Sequence, residues 1–288
     1  MNKVRGIDRI LQTKKELATP KLYIRRALPS PVKRRIDPFL LLDHIGPKYF
    51  HPGEVNHFYP HPHRGFQPVT LLLDGKIEHR DSEGHKETIL PGDVHWINAG
   101  SGIVHSERLR CNTPGEGGNF HSVQLWVNLP ARLKMKAPVV QHIRAADIPV
   151  IKEDDGNISI RLIAGDLYGQ QGPVANSTPI LITHVTIAAG AKTLIPVRKD
   201  FNSFFYMLKG KVKNVTGVVS DEHSLTTFKN NGSDIALEAT EPSELLLLGG
   251  VPHNEPVACY GPFVMNKFPE LQQAILDYES GKMGALKV

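Results

Sequence analysis

At 288 residues the chain is long enough for two modest domains or one large β domain. With 40% hydrophobic and 22% charged residues it is an ordinary soluble globular protein, and a mild formal charge of +5 without a long basic tail makes no demand for nucleic acid. The only two cysteines, Cys111 and Cys259, lie in different halves, which excludes a disulfide framework and points to a reducing compartment. Arg25-Arg26 and Lys33-Arg34-Arg35 are read first as a solvated strand edge rather than an acidic-partner or nuclear-import patch. The first fifteen residues lack the apolar core of a signal peptide, and no apolar run approaches membrane-spanning length, so a cytoplasmic protein is expected.

The chemistry-bearing residues come early. Of fourteen histidines, ten fall between His44 and His121. His61-Pro62-His63 is an H-x-H step, and side chains i and i+2 share one face of a β-strand, so it delivers two imidazoles to one side. Val69–Leu73 follows as a strand, Asp74-Gly75 as a tight turn and Lys76–His79 as the next strand. Asp81–Gly84 turns the chain into Glu87–Leu90; Pro91-Gly92-Asp93 ends that run, and Val94–Ile97 is the next strand. Ala99–Gly102 then turns the chain toward His105-Ser106-Glu107, an H-x-E step with the same spacing. Two neighbouring strands could thus bring His61, His63, His105 and Glu107 to one point. Three neutral imidazoles and a carboxylate suit iron, manganese, copper, nickel or zinc, and leave room for water or substrate. A simple polar cluster is the plain alternative; the crowding of histidine into this stretch favours a metal.

Phe120–Leu129 is a further strand, and the join between the halves is expected near Ala137–Pro149, giving domains 1–140 and 141–288. The second half repeats the plan. Matching Gly210 to Gly75 sets Pro196, Arg198 and Asn202 against His61, His63 and Gln67, so the second copy has lost the first ligand pair. Gly250–Glu255 echoes Gly102–Glu107 and keeps His253 and Glu255 at the same spacing, half a site that reads as structural. Short, regularly spaced strands with turn chemistry between them predict an all-β sandwich or barrel. The clearest helix is Glu270–Gly281, with Leu271, Ala274, Ile275 and Tyr278 at helical spacing, and it is expected to pack across one domain without chemistry.

Several longer motifs together resemble the pirins of the cupin superfamily: DPFLLLD from Asp37, HPHRGF from His61, PGD from Pro91, AGSGIVHSE from Ala99 and QLWVNLP from Gln124. Asn254–Val257, Tyr260–Asn266 and the closing helix resemble the same family, so the likeness spans nearly the whole chain. It implies an all-β bicupin, two β-sandwich or jelly-roll barrels packed face to face with a C-terminal helix, metal-binding in 1–140 and metal-free in 141–288. It implies Fe(II) as cofactor, with Mn, Cu, Ni, Co or Zn as other fits, held by His61, His63, His105 and Glu107. Bacterial pirins are similar to quercetin 2,3-dioxygenases, which open a flavonol with O₂ and release carbon monoxide. The animal member instead looks like an iron-dependent nuclear co-regulator. A redox-sensing protein that binds a protein partner, nuclear if eukaryotic, is therefore the alternative implied.

Two departures stand out: Gln67 where pirins usually carry Glu, and His95 where they tend to carry Gln. The first is expected to bear on pocket electrostatics more than on metal retention. For catalysis Glu107 is expected to act as general base toward the flavonol 3-hydroxyl. Phe66, Gln67, His95 and Trp96 are the candidate substrate-pocket residues, although aromatics in such strands are more often core and His95 reads first as an ordinary strand residue.

Overall fold

Turn chemistry cuts the apolar runs of this chain into short strands, and what each strand pairs with decides where the histidines end up. The computed structural model describes residues 3–19, 22–113 and 115–286. Its strands form the two barrels of a bicupin, and the one α-helix among the described residues, Phe268–Glu279, lies near the C-terminus.

The chain divides into two units. One comprises the residues up to Lys14, Arg25–Ser30 and Ala146–Pro252; the other comprises Lys15–Ile24, Pro31–Ala145 and the residues from His253 onward. A single cut at 140/141 therefore does not describe the division, because each unit includes a terminal segment. The strand Ile7–Gln12 pairs with Ser224–Phe228, and the C-terminal helix packs Leu271 and Ala274 against Val104, Phe263 and Met265.

The two units share one plan. In the first, a seven-stranded sheet runs in the order Ile7–Gln12, Ser224–Phe228, Asn202–Lys209, Ser243–Gly250, Ile180–Ile187, Ile158–Ala164, Val150–Glu153. In the second the order is Val139–Ile143, Val94–Asn98, Phe66–Asp74, Gly118–Asn128, Phe39–Phe50, Leu22–Leu28, Lys15–Thr19. Each unit adds a four-stranded sheet: Lys192–Pro196, Asp234–Ala239, Val212–Lys213, Val219–Ser220 in one, and Asn56–His63, Ile103–Arg110, Lys76–Asp81, Lys86–Ile89 in the other. The first unit closes on an apolar core that includes Val185, Phe205, Leu245 and Leu247. The second has a smaller cluster around Phe50, Leu72, Ile89 and Phe120, which leaves inward positions for polar side chains.

Asp74-Gly75 does turn the chain, but not into a hairpin. Phe66–Asp74 belongs to the seven-stranded sheet and Lys76–Asp81 to the four-stranded one, so Gly75 is the corner between sheets. Its φ of 90° and the Arg110 carbonyl 2.7 Å from where a Cβ would sit demand glycine. The true hairpin is the next turn, which pairs Lys76–Asp81 with Lys86–Ile89. Both cysteines are free thiols. Among the described residues no helix is long and apolar enough to cross a membrane.

The C-terminal helix reaches the histidine motif. Glu270 accepts from the backbone N–H groups of Asn266 and Lys267 and so caps its start. One turn from its end, Asp277 accepts from Arg64 Nη1 at 2.9 Å, while Arg64 Nε donates to the Ser101 carbonyl at 2.6 Å. Arg64 thereby ties the turn after His63 to the loop before His105. Hydrogen bonds from Lys282, Gln273 and Arg64 hold the Asp277 carboxyl well below the usual carboxylate range. A carboxyl depressed by folding adds stability that is in place above its unfolded value, about pH 4, and is lost as pH falls further. Asp277→Asn should lower the thermal midpoint near pH 7 and flatten its fall between about pH 4 and pH 2, measured by circular dichroism. A profile parallel to wild type would exclude this role.

Candidate metal centre

The strand Ile103–Arg110 sits between two others and places the site. On one edge His105 lies opposite His61 of Asn56–His63. On the other edge His105 lies opposite Asp81, and Glu107 opposite His79, of Lys76–Asp81. Alternation then turns His61, His63, His105, Glu107, His79 and Asp81 to one face of the four-stranded sheet. His95 comes from Val94–Asn98 of the other sheet, its ring centroid 4.2 Å from that of His79.

Three of the four expected ligands converge. The ring centroids of His61 and His105 are 4.3 Å apart, and His63 is 4.8 Å from each. Their ligating atoms all lie within 4.8 Å of one another. Glu107 falls into a second group of the same spread, with His79 and His95, although it lines the same cavity as His61 and His63. The carboxylate thus stands between two imidazole sets.

The nitrogens are prepared for a metal. His61 Nδ1 donates to the Tyr59 carbonyl at 2.8 Å, which leaves Nε2 with a free lone pair. His63 Nδ1 and both nitrogens of His105 are buried without a hydrogen-bond partner. Burial, reinforced by the neighbouring imidazoles, pushes His63 and His105 well below the usual histidine value, so both are neutral. Burial pushes the Glu107 carboxyl up, against the pull of His79 and His61. Unmet polar atoms in a dry interior are costly, and three imidazoles beside a carboxylate are a fitting donor set for a divalent transition metal.

The cavity in front of these residues measures about 220 Å³ and is lined by Phe58, Thr70, Ile77, Leu109, Ser122 and Trp126, among others. None of the four expected pocket residues is among them. Phe66 is fully buried behind Trp126, their ring centroids 4.2 Å apart. Trp96 is also fully buried, and its Nε1 donates to Gln67 Oε1 at 2.8 Å. Gln67 therefore anchors a core tryptophan and does not face the cavity. His95 is buried against Glu87, its Nε2 3.0 Å from Oε2. Nothing local to the run QLWVNLP marks Trp126 as cavity-lining. His79 was signalled by His79-Arg80-Asp81, the same i, i+2 step as the other motifs.

The first unit has no counterpart among its described residues. Pro196 pairs with Asp234 as His61 pairs with His105, so Asp234 and Ala236 stand at the places of His105 and Glu107. The echo at Gly250–Glu255 occupies a different position. There His253 Nε2 hydrogen-bonds the Asn128 carbonyl at 3.1 Å, and Glu255 accepts from the Ala131 N–H at 2.7 Å. Both are structural contacts.

Residues 21–127 match the pirin family, and residues 182–284 match the pirin C-terminal cupin domain. A Pseudomonas aeruginosa protein provisionally named a quercetin 2,3-dioxygenase is 38% identical over 250 residues, covering 86% of this chain and 87% of that one. Human pirin is 35% identical over 268 residues, 91% of this chain and 88% of that protein. The crystal structure of a quercetin 2,3-dioxygenase from Acinetobacter baumannii superposes with a TM-score of 0.92 at 33% identity, covering 99% of this chain and all of the other.

Because Gln67 is the acceptor for a buried indole N–H, Gln67→Leu should cost roughly 1–3 kcal/mol of stability. Urea unfolding measures this, and a midpoint equal to wild type would remove Gln67 from the core.

Proposed function

This chain belongs to the pirin family of cupins, and from that premise we propose that it is an iron-dependent dioxygenase of the quercetin 2,3-dioxygenase type, opening a flavonol ring with O₂. The observation that carries the reading is the junction of an imidazole cluster that keeps unmet nitrogens on His63 and His105 with a cavity that is apolar yet holds unmet polar groups. Among its lining residues, Trp126 Nε1 and Ser122 Oγ are buried without a hydrogen-bond partner. A flat polyphenol, apolar on its faces and polar at its edge, answers both features.

His61, His63 and His105 would hold the ion, with Glu107 as the carboxylate beside them. Fe(II) is the proposed metal, and Mn, Co, Ni, Cu or Zn fit the same donors. When bound, such an ion supplies a Lewis-acidic centre that increases the acidity of a substrate hydroxyl. The remaining work falls to this chain's own groups. Glu107 takes the proton of the flavonol 3-hydroxyl on a carboxylate oxygen, and its burial makes it a stronger base than an exposed glutamate. Trp126 and Ser122 donate to the flavonol's oxygens and fix its edge. Phe58, Ile77 and Leu109 exclude water. A cavity of about 220 Å³ is smaller than the roughly 300 Å³ at which ligand pockets usually begin. The hydroxyl-bearing edge is therefore the part enclosed, with the far ring outside.

Protein stripped of metal and reloaded with Fe(II) should consume O₂ in the presence of quercetin. His105→Ala should lose at least about a hundredfold of that rate. An oxygen electrode reads both, and Fe(II) binding with no flavonol-dependent uptake would reject the dioxygenase.

A further inference from the structure

Glu107 is claimed from two sides. Behind it His79 and His95 form a second imidazole pair that the proposed reaction does not use. Ligand atoms of His79, His95 and Glu107 lie within 4.8 Å of one another, and all three residues are buried. We propose that these residues form a second metal site, which takes a divalent transition-metal ion and shares Glu107 with the first centre.

The strongest support is an unmet atom. His79 is 1% exposed, and its Nδ1 is buried without a hydrogen-bond partner. Its other nitrogen is held by Asp81, Nε2 to Oδ2 at 3.0 Å, and the His95 Nε2 is held in the same way by Glu87 at 3.0 Å. A carboxylate on one ring nitrogen fixes the tautomer, orients the ring and raises the basicity of the other nitrogen, the arrangement found behind metal-ligating histidines. Asp81 is itself held by the backbone N–H groups of Glu83 and His85, at 2.9 and 3.1 Å. Each imidazole thus has a supporting carboxylate behind it, and His79 keeps an unmet nitrogen in front.

The alternative is a hydrogen-bonded cluster that holds no ion. It would leave a donor or acceptor of His79 unmet in a dry interior, where such groups are costly. The His79 ring centroid is 5.4 Å from that of His105, so the two centres adjoin. Glu107 has two oxygens, one available to each. Two nitrogens and a carboxylate oxygen leave open positions on the ion, a set suited to Zn, Co, Ni, Mn or Fe.

The inference rests on Glu107 belonging also to the first centre, but not on any reaction. Metal-free protein is titrated with Co(II), and bound metal per chain is measured by atomic emission in wild type, His95→Gln and His63→Ala. Wild type should take about two ions per chain and each variant about one, with distinct Co(II) absorption bands because different sites remain. The Mn(II)-loaded wild type should give an exchange-coupled spectrum by electron paramagnetic resonance, a readout that needs no variant to fold. A single uncoupled ion per chain in wild type, or an unchanged count in His95→Gln, overturns the second site. A metal content that His63→Ala leaves at the wild-type level instead overturns the first centre, so the two failures are told apart.

Discussion

The site depends on one strand being paired on both edges. Ile103–Arg110 has Asn56–His63 on one side and Lys76–Asp81 on the other. Its alternation sends His105 and Glu107 inward, and the two registers set His61 beside one and His79 beside the other. A slip of a single residue would turn both inward ligands to the opposite face. The register shift between His105 and Glu107 on the Asn56–His63 edge re-aims that part of the strand without losing the pairing.

This arrangement opposes stability. His63, His79, His95, His105 and Glu107 are all nearly inaccessible to water. Several of their polar atoms lack partners, each costing roughly 1–3 kcal/mol. The companion unit follows the same strand order around a larger apolar cluster. Arg64 offsets part of the difference by tying the loops on either side of the ligand strands to the C-terminal helix. A bound ion would meet the lone pairs that the protein leaves open.

Much of this was legible in the sequence, because the period of a strand is two and the ligand steps H-x-H and H-x-E have that period. The all-β class, the repeat of the plan and the closing helix followed from turn residues and spacing. What strands pair with is not written locally. Asp74-Gly75 has the composition of a hairpin and forms a corner between sheets, while Gly250–Glu255 has the spacing of a ligand strand and lies elsewhere in the fold. Gln67 and Trp96 are distant in sequence and meet only through the pairing of Val69 with Trp96 across two strands. His79 and His95 become neighbours because the two sheets face each other inside one barrel. The grouping of Glu107 with them depends on the same long-range contact.

Everything proposed for this barrel requires His61, His63 and His105 to hold a metal ion together. Anomalous diffraction from crystals of the iron-loaded protein, collected on both sides of the iron edge, tests it directly. A strong anomalous peak is expected among these three imidazoles, at about 2.0–2.2 Å from a nitrogen of each. A fully loaded crystal with no peak there, or with its iron only on surface histidines, would contradict it.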